Sequence, residues 1–142
     1  MPAKPTIILS TLNARYIHAS LGLRYLLANM EHLRTQTRLI EFIIISRPVD
    51  IVESLLQHGP KIIGLGVYIW NAEETLQVVK LLKKVSPETI VILGGPEVTY
   101  EVKQQEITQL ADYVITGQAD IAFRETCNAV LNNKAPLQKV LK

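Results

Sequence analysis

The residues with chemistry to offer lie at the carboxyl ends of apolar runs. Ile90-Val91-Ile92-Leu93 leads straight into Gly94-Gly95-Pro96-Glu97. Four β-favouring apolar residues in a row read as a strand buried on both faces, as in a parallel sheet. Two glycines at its end remove two Cβ atoms where the backbone must turn, and they let another molecule approach closely. They serve either a tight turn or a ligand. Asn13, Arg15, Tyr16 and His18 follow the first apolar run, and Tyr68, Trp70 and Asn71 follow the third. Gly117, Gln118 and Asp120 follow the last. These are groups for hydrogen bonding, stacking and close approach, which is the chemistry of binding, and no catalytic residue is expected. Tyr68 and Trp70 flank Ile69 and so point the same way, either capping a hydrophobic edge or stacking on a planar ligand. Glu97 and Asp120 read equally as a solvated acid and a helix cap, and His18 as a loop histidine bonded to backbone.

Several familiar sites are absent. Gly64-Leu65-Gly66 lies inside a strand and lacks the third glycine of a dinucleotide fingerprint, and there is no Gly-Lys-Ser/Thr phosphate loop. A phosphoacceptor site would need carboxylates at the ends of the first and third strands, where this chain has Ser10, Thr11, Val67 and Tyr68. The single cysteine, Cys127, excludes a disulfide framework and a cysteine-held iron–sulfur cluster, and reads as core.

The elements that position these residues alternate along the chain. Strands are expected at Thr6–Leu12, Leu39–Ile45, Ile62–Val67, Ile90–Leu93 and Tyr113–Thr116. Between them, Leu23, Leu26, Leu27 and Met30 have helical spacing, as do Ile51, Val52, Leu55 and Leu56, and then Leu76, Val79 and Leu82. Ser46 reads as a cap ahead of Pro48, and Asn71 with Glu74 as a capping box. A weaker helix is expected over Thr99–Gln109, and a last one, capped by Asp120, buries Phe123, Cys127, Val130 and Leu131. Strands alternating with helices imply an α/β fold: a flavodoxin-like, Rossmann-like, doubly wound five-stranded parallel sheet in the order 2-1-3-4-5, with three α/β/α layers. Ligands bind outside the carboxyl ends of such sheets at the switch in strand order. The crevice walls are then Asn13–Gly22, Tyr68–Asn71, Gly94–Glu97 and Gly117–Asp120.

At 142 residues, with 48% hydrophobic and 20% charged residues, the chain suits one packed domain. A formal charge of +2 without a basic stripe gives no footprint for nucleic acid. No apolar run is long enough to span a bilayer, and the amino terminus lacks a signal-peptide pattern, so a cytoplasmic domain without a membrane partner is expected. Asn132-Asn133-Lys134-Ala135-Pro136 reads as a linker start, giving a domain at 1–133 and, at 134–142, the beginning of a connection to a further domain.

Four segments carry a resemblance: His18-Ala19-Ser20-Leu21-Gly22-Leu23-Arg24-Tyr25-Leu26, Gly64-Leu65-Gly66-Val67-Tyr68-Ile69-Trp70-Asn71, Leu93-Gly94-Gly95-Pro96-Glu97, and Ala111–Asp120. In that order they resemble the cobalamin-binding domain at the amino end of radical S-adenosylmethionine enzymes, including the anaerobic magnesium-protoporphyrin ester cyclase type. The resemblance implies a corrin ring across the carboxyl edge of the sheet, with its nucleotide tail in a slot beside the strands. It implies cofactor contacts from Asn13, Tyr16, His18, Gly22, Tyr68, Trp70, Asn71, Gly94, Gly95, Pro96, Glu97, Gly117, Gln118 and Asp120. The Asp-x-His-x-x-Gly motif of cobalamin mutases and methyltransferases, whose histidine binds cobalt, is missing: Gly22 stands four residues after His18. The Cys-x-x-x-Cys-x-x-Cys of the parent enzymes is missing too, so the 4Fe–4S cluster and S-adenosylmethionine would belong to a downstream domain. Family members often have histidine where Glu97 stands and an acid where Gln118 stands. A flavin- or nucleotide-binding domain of the same fold, or a degenerate docking domain that has lost its ligand, are the alternatives.

Overall fold

The computed structural model describes residues 4–13, 20–95, 105–117 and 119–141. Thr99–Gln109, expected to be one helix, falls partly outside them.

Among the described residues the chain forms a wholly parallel six-stranded sheet in the order β2-β1-β3-β4-β5-β6. The strands are β1 (Ile7–Asn13), β2 (Thr37–Ile43), β3 (Ile62–Gly66), β4 (Ile90–Gly94), β5 (Tyr113–Ile115) and β6 (Val140–Leu141). The helices are α1 (Leu21–Ala28), α2 (Pro48–Leu56), α3 (Ala72–Val85), α4 (Glu106–Leu110) and α5 (Asp120–Leu131), with a 3₁₀ segment at Glu31–Gln36. The expected order of the first five strands holds. The sixth corrects the count: Val140 and Leu141 pair with Val114 and Ile115 inside the stretch expected to begin a linker.

The period of two along each strand divides the core. Ile8 and Leu12 of β1, Ile63 and Leu65 of β3, and Val91 and Leu93 of β4 pack against α2, α3 and α4. Ile7 and Leu9 of β1, Ile62 of β3 and Ile92 of β4 face the other layer, built from α1, the 3₁₀ segment and α5. That second face thins toward the carboxyl edge. In register across β1, β3 and β4 run Leu9, Gly64 and Ile92, and two residues further on Thr11, Gly66 and Gly94. The glycine face of β3 therefore looks at the gap between α1 and α5.

At the opposite edge, Lys83 at the end of α3 donates to the Pro87 and Thr89 carbonyls at 2.9 and 2.8 Å and pairs with Asp112 at 2.8 Å. Asp112 also accepts from the Val91 N–H at 2.7 Å. This node locks the entries of β4 and β5 and leaves the carboxyl edge free for other work.

Three expected caps differ. Arg47, not Ser46, is the N-cap of α2, because the Ser46 N–H closes a turn onto Ile43; Pro48 keeps its place in the first turn. Ala119 precedes α5, with Asp120 inside the first turn, where its charge suits the helix dipole. Asn71 holds the N-cap position of α3 but makes no capping bond, because its side chain turns back to the sheet.

A Cβ on Gly64 would stand 2.7 Å from Cε2 of the buried Phe123 and 3.2 Å from Cδ2 of Leu9. Gly64→Ala should cost about 1–3 kcal/mol of overpacking, read from urea unfolding. In a Phe123→Leu background it should cost less, since the obstructing ring is gone; equal costs in both backgrounds would show that the ring is not the obstacle.

Candidate functional site

The gap between α1 and α5 opens a slot of about 210 Å3 at the carboxyl edge of the sheet. Its floor is the glycine face of β3, continued by Gly94 and Gly95; its walls come from α1 (Gly22, Leu23, Leu26) and α5 (Asp120, Phe123). Six of the seven glycines in the chain line it. They are not equivalent. Gly64 is empty because Phe123 packs onto it. Gly95 has φ +114, and a Cβ there would run into the Val67 carbonyl, so it is a conformational glycine. Gly94 is different again: its φ is ordinary and a Cβ would meet nothing within 4 Å, so a side chain there would project into the slot.

The loop after β3 is fixed from beneath. Asn71 is fully buried. Its Oδ1 accepts from the Tyr68 N–H at 2.7 Å, and its Nδ2 donates to Thr11 Oγ1 at 3.2 Å and the Leu12 carbonyl at 3.0 Å. Thr11 in turn donates to the Gly66 carbonyl at 2.9 Å. Asn71 thus ties the loop to the ends of β1 and β3, with its amide fully engaged inside the protein. Above it, the Tyr68 and Trp70 rings stack with centroids 5.5 Å apart and planes within 7°. Tyr68 lines the slot, its hydroxyl 3.5 Å from where a Gly22 side chain would begin. Trp70 is 44% exposed outside it, and Ile69 between them is 82% exposed.

The start of α1 is held from the side. Ser20 caps the helix by accepting from the Leu23 N–H. The Ser20 N–H donates to Glu41 of β2 at 2.8 Å, and the Arg24 guanidinium grips both Glu41 oxygens at 3.2 Å. Burial is the largest influence on Glu41 and pushes its pKa up. Hydrogen bonds from Arg24, the Ser20 N–H and the Asn13 side chain, with the Arg24 charge, together outweigh it and hold the carboxyl below its ordinary value. Residues at the end of β1 and the start of α1 therefore share one carboxylate.

Of the residues expected to form the site, the structure brings Gly22, Tyr68, Gly94, Gly95, Gly117 and Asp120 around the slot. Trp70 sits beside it, stacked on Tyr68. Asn13 and Asn71 are buried braces. Tyr16, His18, Pro96, Glu97 and Gln118 lie outside the described residues. The expected set of contacts left out Leu23, Gly64, Gly66 and Phe123, although two glycines inside the third strand already point to close packing by a helix or a ligand, and their two-residue spacing empties one face. Glu41 gave no signal, because only the sheet register brings it to Ser20. Cys127 is core, with burial pushing its thiol up to about 12, so it is no nucleophile. Among the described residues no three His, Cys, Asp or Glu side chains gather to hold a metal ion. Nor is any helix long and apolar enough to cross a membrane.

A slot floored by bare backbone at the edge of a parallel sheet suits a ligand that inserts an arm. The family model of the B12 binding domain matches residues 8–126. The chain belongs to the B12-binding domain family. Its relatives include the cobalamin-dependent radical SAM methyltransferase TokK of Streptomyces tokunonensis, 33% identical over 67 residues, which are 46% of this chain and 10% of TokK. A cobalamin-binding protein from Desulfitobacterium hafniense DCB-2 superposes with a TM-score of 0.62 at 22% identity, over 88% of this chain and 58% of that one. The cobalamin-dependent S-adenosylmethionine radical enzyme OxsB, with aqua-cobalamin bound, gives a TM-score of 0.72 at 16% identity, over 94% of this chain and 19% of OxsB. The chain thus spans about a tenth of TokK and a fifth of OxsB.

The Glu41 brace in this B12-binding domain has a signature in pH. A carboxyl held below its ordinary 4.5 contributes stability fully present above that value and lost as pH falls through the folded pKa. Glu41→Gln should be less stable than wild type by about 1–3 kcal/mol at pH 7, and the gap should close between about pH 5 and pH 3. Urea unfolding across that range reads it, and a gap independent of pH would show that the charge on Glu41 is not what braces α1.

Proposed function

We propose that this domain is the cobalamin-holding module of a radical S-adenosylmethionine enzyme. The corrin lies across the carboxyl edge of the sheet and its nucleotide tail enters the slot between α1 and α5. The observation that carries this reading is Gly94: a glycine with ordinary backbone angles and open space where its side chain would be. Among the described residues nothing demands that glycine, whereas a ligand lying on β4 would. The size of the slot fits as well. At about 210 Å3 it falls below the roughly 300–1,000 Å3 that encloses a whole drug-sized ligand, so it suits one arm of a larger molecule.

The residues have distinct parts in this reading. Gly66, Gly94 and Gly95 admit the tail, and Leu23 with Phe123 flanks it. The Tyr68–Trp70 stack offers a flat apolar surface at the rim, suited to a planar ring system. The contacts proposed for Tyr16, His18, Pro96, Glu97 and Gln118 rest on the resemblance, since these residues lie outside the described ones. No Asp-x-His-x-x-Gly histidine is present to bind cobalt. His32 and His58 sit with Asn128 and Arg38 and do not line the slot. When bound, the corrin supplies a cobalt centre able to carry a methyl group; this chain's residues hold and orient it. The cluster and S-adenosylmethionine belong to a further domain of a cytoplasmic enzyme, since one buried cysteine cannot hold a cluster.

The domain mixed with hydroxocobalamin and desalted should retain corrin absorbance in the visible spectrum. A folded protein that retains none overturns the reading. Gly94→Leu should keep the unfolding midpoint and lose the retained corrin; retention by that variant would remove the slot from the site. Trp70, the only tryptophan, should be quenched on binding. Unchanged emission at saturation would take Trp70 out of the contact surface.

A further inference from the structure

The wall that α1 gives the slot is short and stands over a glycine floor. A helix of eight residues is marginal by itself in water, so its place must come from bonds to the rest of the fold. Its start is held by Glu41, through Ser20 and Arg24. Its end is held differently. No basic residue stands in the last turn of α1, so its own side chains do not match the partial negative charge on its final carbonyls. Arg124 of α5 supplies the cation. Its Nη1 donates to the carbonyl of Asn29, the C-cap of α1, at 3.2 Å, and pairs with Glu31 Oε1 at 3.1 Å. One turn further along α5, Asn128 Oδ1 meets His32 Nε2 at 3.1 Å. Glu31 itself has φ +50, in the left-handed region. A residue other than glycine keeps that conformation only where its surroundings hold it.

These bonds lie beside the slot without entering it. Phe123, which walls the slot on one side, immediately precedes Arg124, and Leu26, on the other wall, lies one turn before Asn29. Arg124 itself does not line the slot. From this, and resting on the proposed function, we infer that Arg124 is a positioning residue: by capping α1 from α5 it fixes the separation of the two walls, and so the fit of the nucleotide tail, without touching the ligand. The Glu31 pair is the lesser part, because the Glu31 side chain is 67% exposed and exposed ion pairs contribute little. The Asn29 carbonyl is the greater part, because it receives a hydrogen bond from a charged and largely buried donor. Without that bond the end of α1 is free to shift or fray. A ligand must then order the wall as it binds, and that ordering is subtracted from its affinity.

The test uses the whole chain and two ligands: hydroxocobalamin, and cobinamide, which has the corrin but no nucleotide. Dissociation constants come from titration followed by visible absorbance, and urea unfolding shows that each variant is folded. Arg124→Met removes the charge while keeping a long, helix-favouring side chain. It should bind hydroxocobalamin about tenfold more weakly, and cobinamide as wild type does, since only the tail enters the slot. Arg124→Lys keeps the charge but loses the fork that reaches two partners. It should lose about two- to fivefold, again for hydroxocobalamin alone. If Arg124→Met does not fold, Arg124→Lys decides by the same split. Hydroxocobalamin bound as tightly as by wild type overturns the inference. So does an equal loss for both ligands, which would make Arg124 a residue of the fold alone. Either result leaves the module reading intact. A folded wild-type chain that binds neither ligand overturns the module reading, and the inference with it.

Discussion

The carboxyl edge of this sheet depends on side chains that are not there. On the face toward α1 and α5, β3 presents Gly64 and Gly66, with Gly94 beside Gly66 on β4. Leucine or valine at these places would let the helices close over the sheet, as they do lower down where Ile7 and Ile62 are buried. Removing them leaves helix faces with nothing to pack on near the edge. The fold compensates at one level only: Phe123 swings its ring onto Gly64 and closes the bottom of the gap. Above that level the gap stays open, and it is open because bare backbone cannot fill it.

A cleft between two helices over a glycine floor would collapse or gape unless its margins were fixed. Two polar braces do this from opposite sides, Asn71 buried and Glu41 half-buried. Asn71 ties the loop after β3 to β1 through Thr11 Oγ1 and the Leu12 carbonyl, and Glu41 ties the start of α1 to β2. Both braces are satisfied polar groups, which hold geometry more sharply than apolar contacts because their bonds are directional. Neither faces the slot. The mouth therefore owes its shape to residues that a ligand would never touch. The other edge, locked by Lys83 and Asp112, is correspondingly a place of stability rather than binding.

Much of this was legible in the sequence. Apolar runs of four to seven residues alternating with helical stripes give the parallel sheet and its first five strands, because strands buried on both faces carry no polar alternation. The glycines at the end of β4, which line the slot, stand out because glycine leaves a strand weaker and must have a reason to be there. What escaped was long-range. Val140–Leu141 is too short to show a pattern, and it becomes a strand only because β5 offers an unpaired edge. Asn71 has the right spacing for a cap, yet its Oδ1 accepts from the Tyr68 N–H instead of a helix N–H, while its Nδ2 donates to the ends of β1 and β3. Glu41 looks like any acid on an edge strand until the register places it beside Ser20.

The distribution of reactive groups decides what kind of function the edge can have. Catalysis of a proton or acyl transfer needs a nucleophile and a base within hydrogen-bond reach of each other. Around this slot the described titratable side chains are Tyr68 and Asp120, and the thiol of Cys127 is buried away from it and held protonated. Binding has different requirements: apolar area to cover, a few polar groups at the margin, and a rigid frame. Those are present together. A ligand anchored by an arm in the inner slot keeps its main body at the rim, beside the Tyr68–Trp70 stack and the exposed Ile69. Its outward face is then left for whatever chemistry is brought to it. An edge built this way offers a rigid place for a ligand rather than groups that react with it.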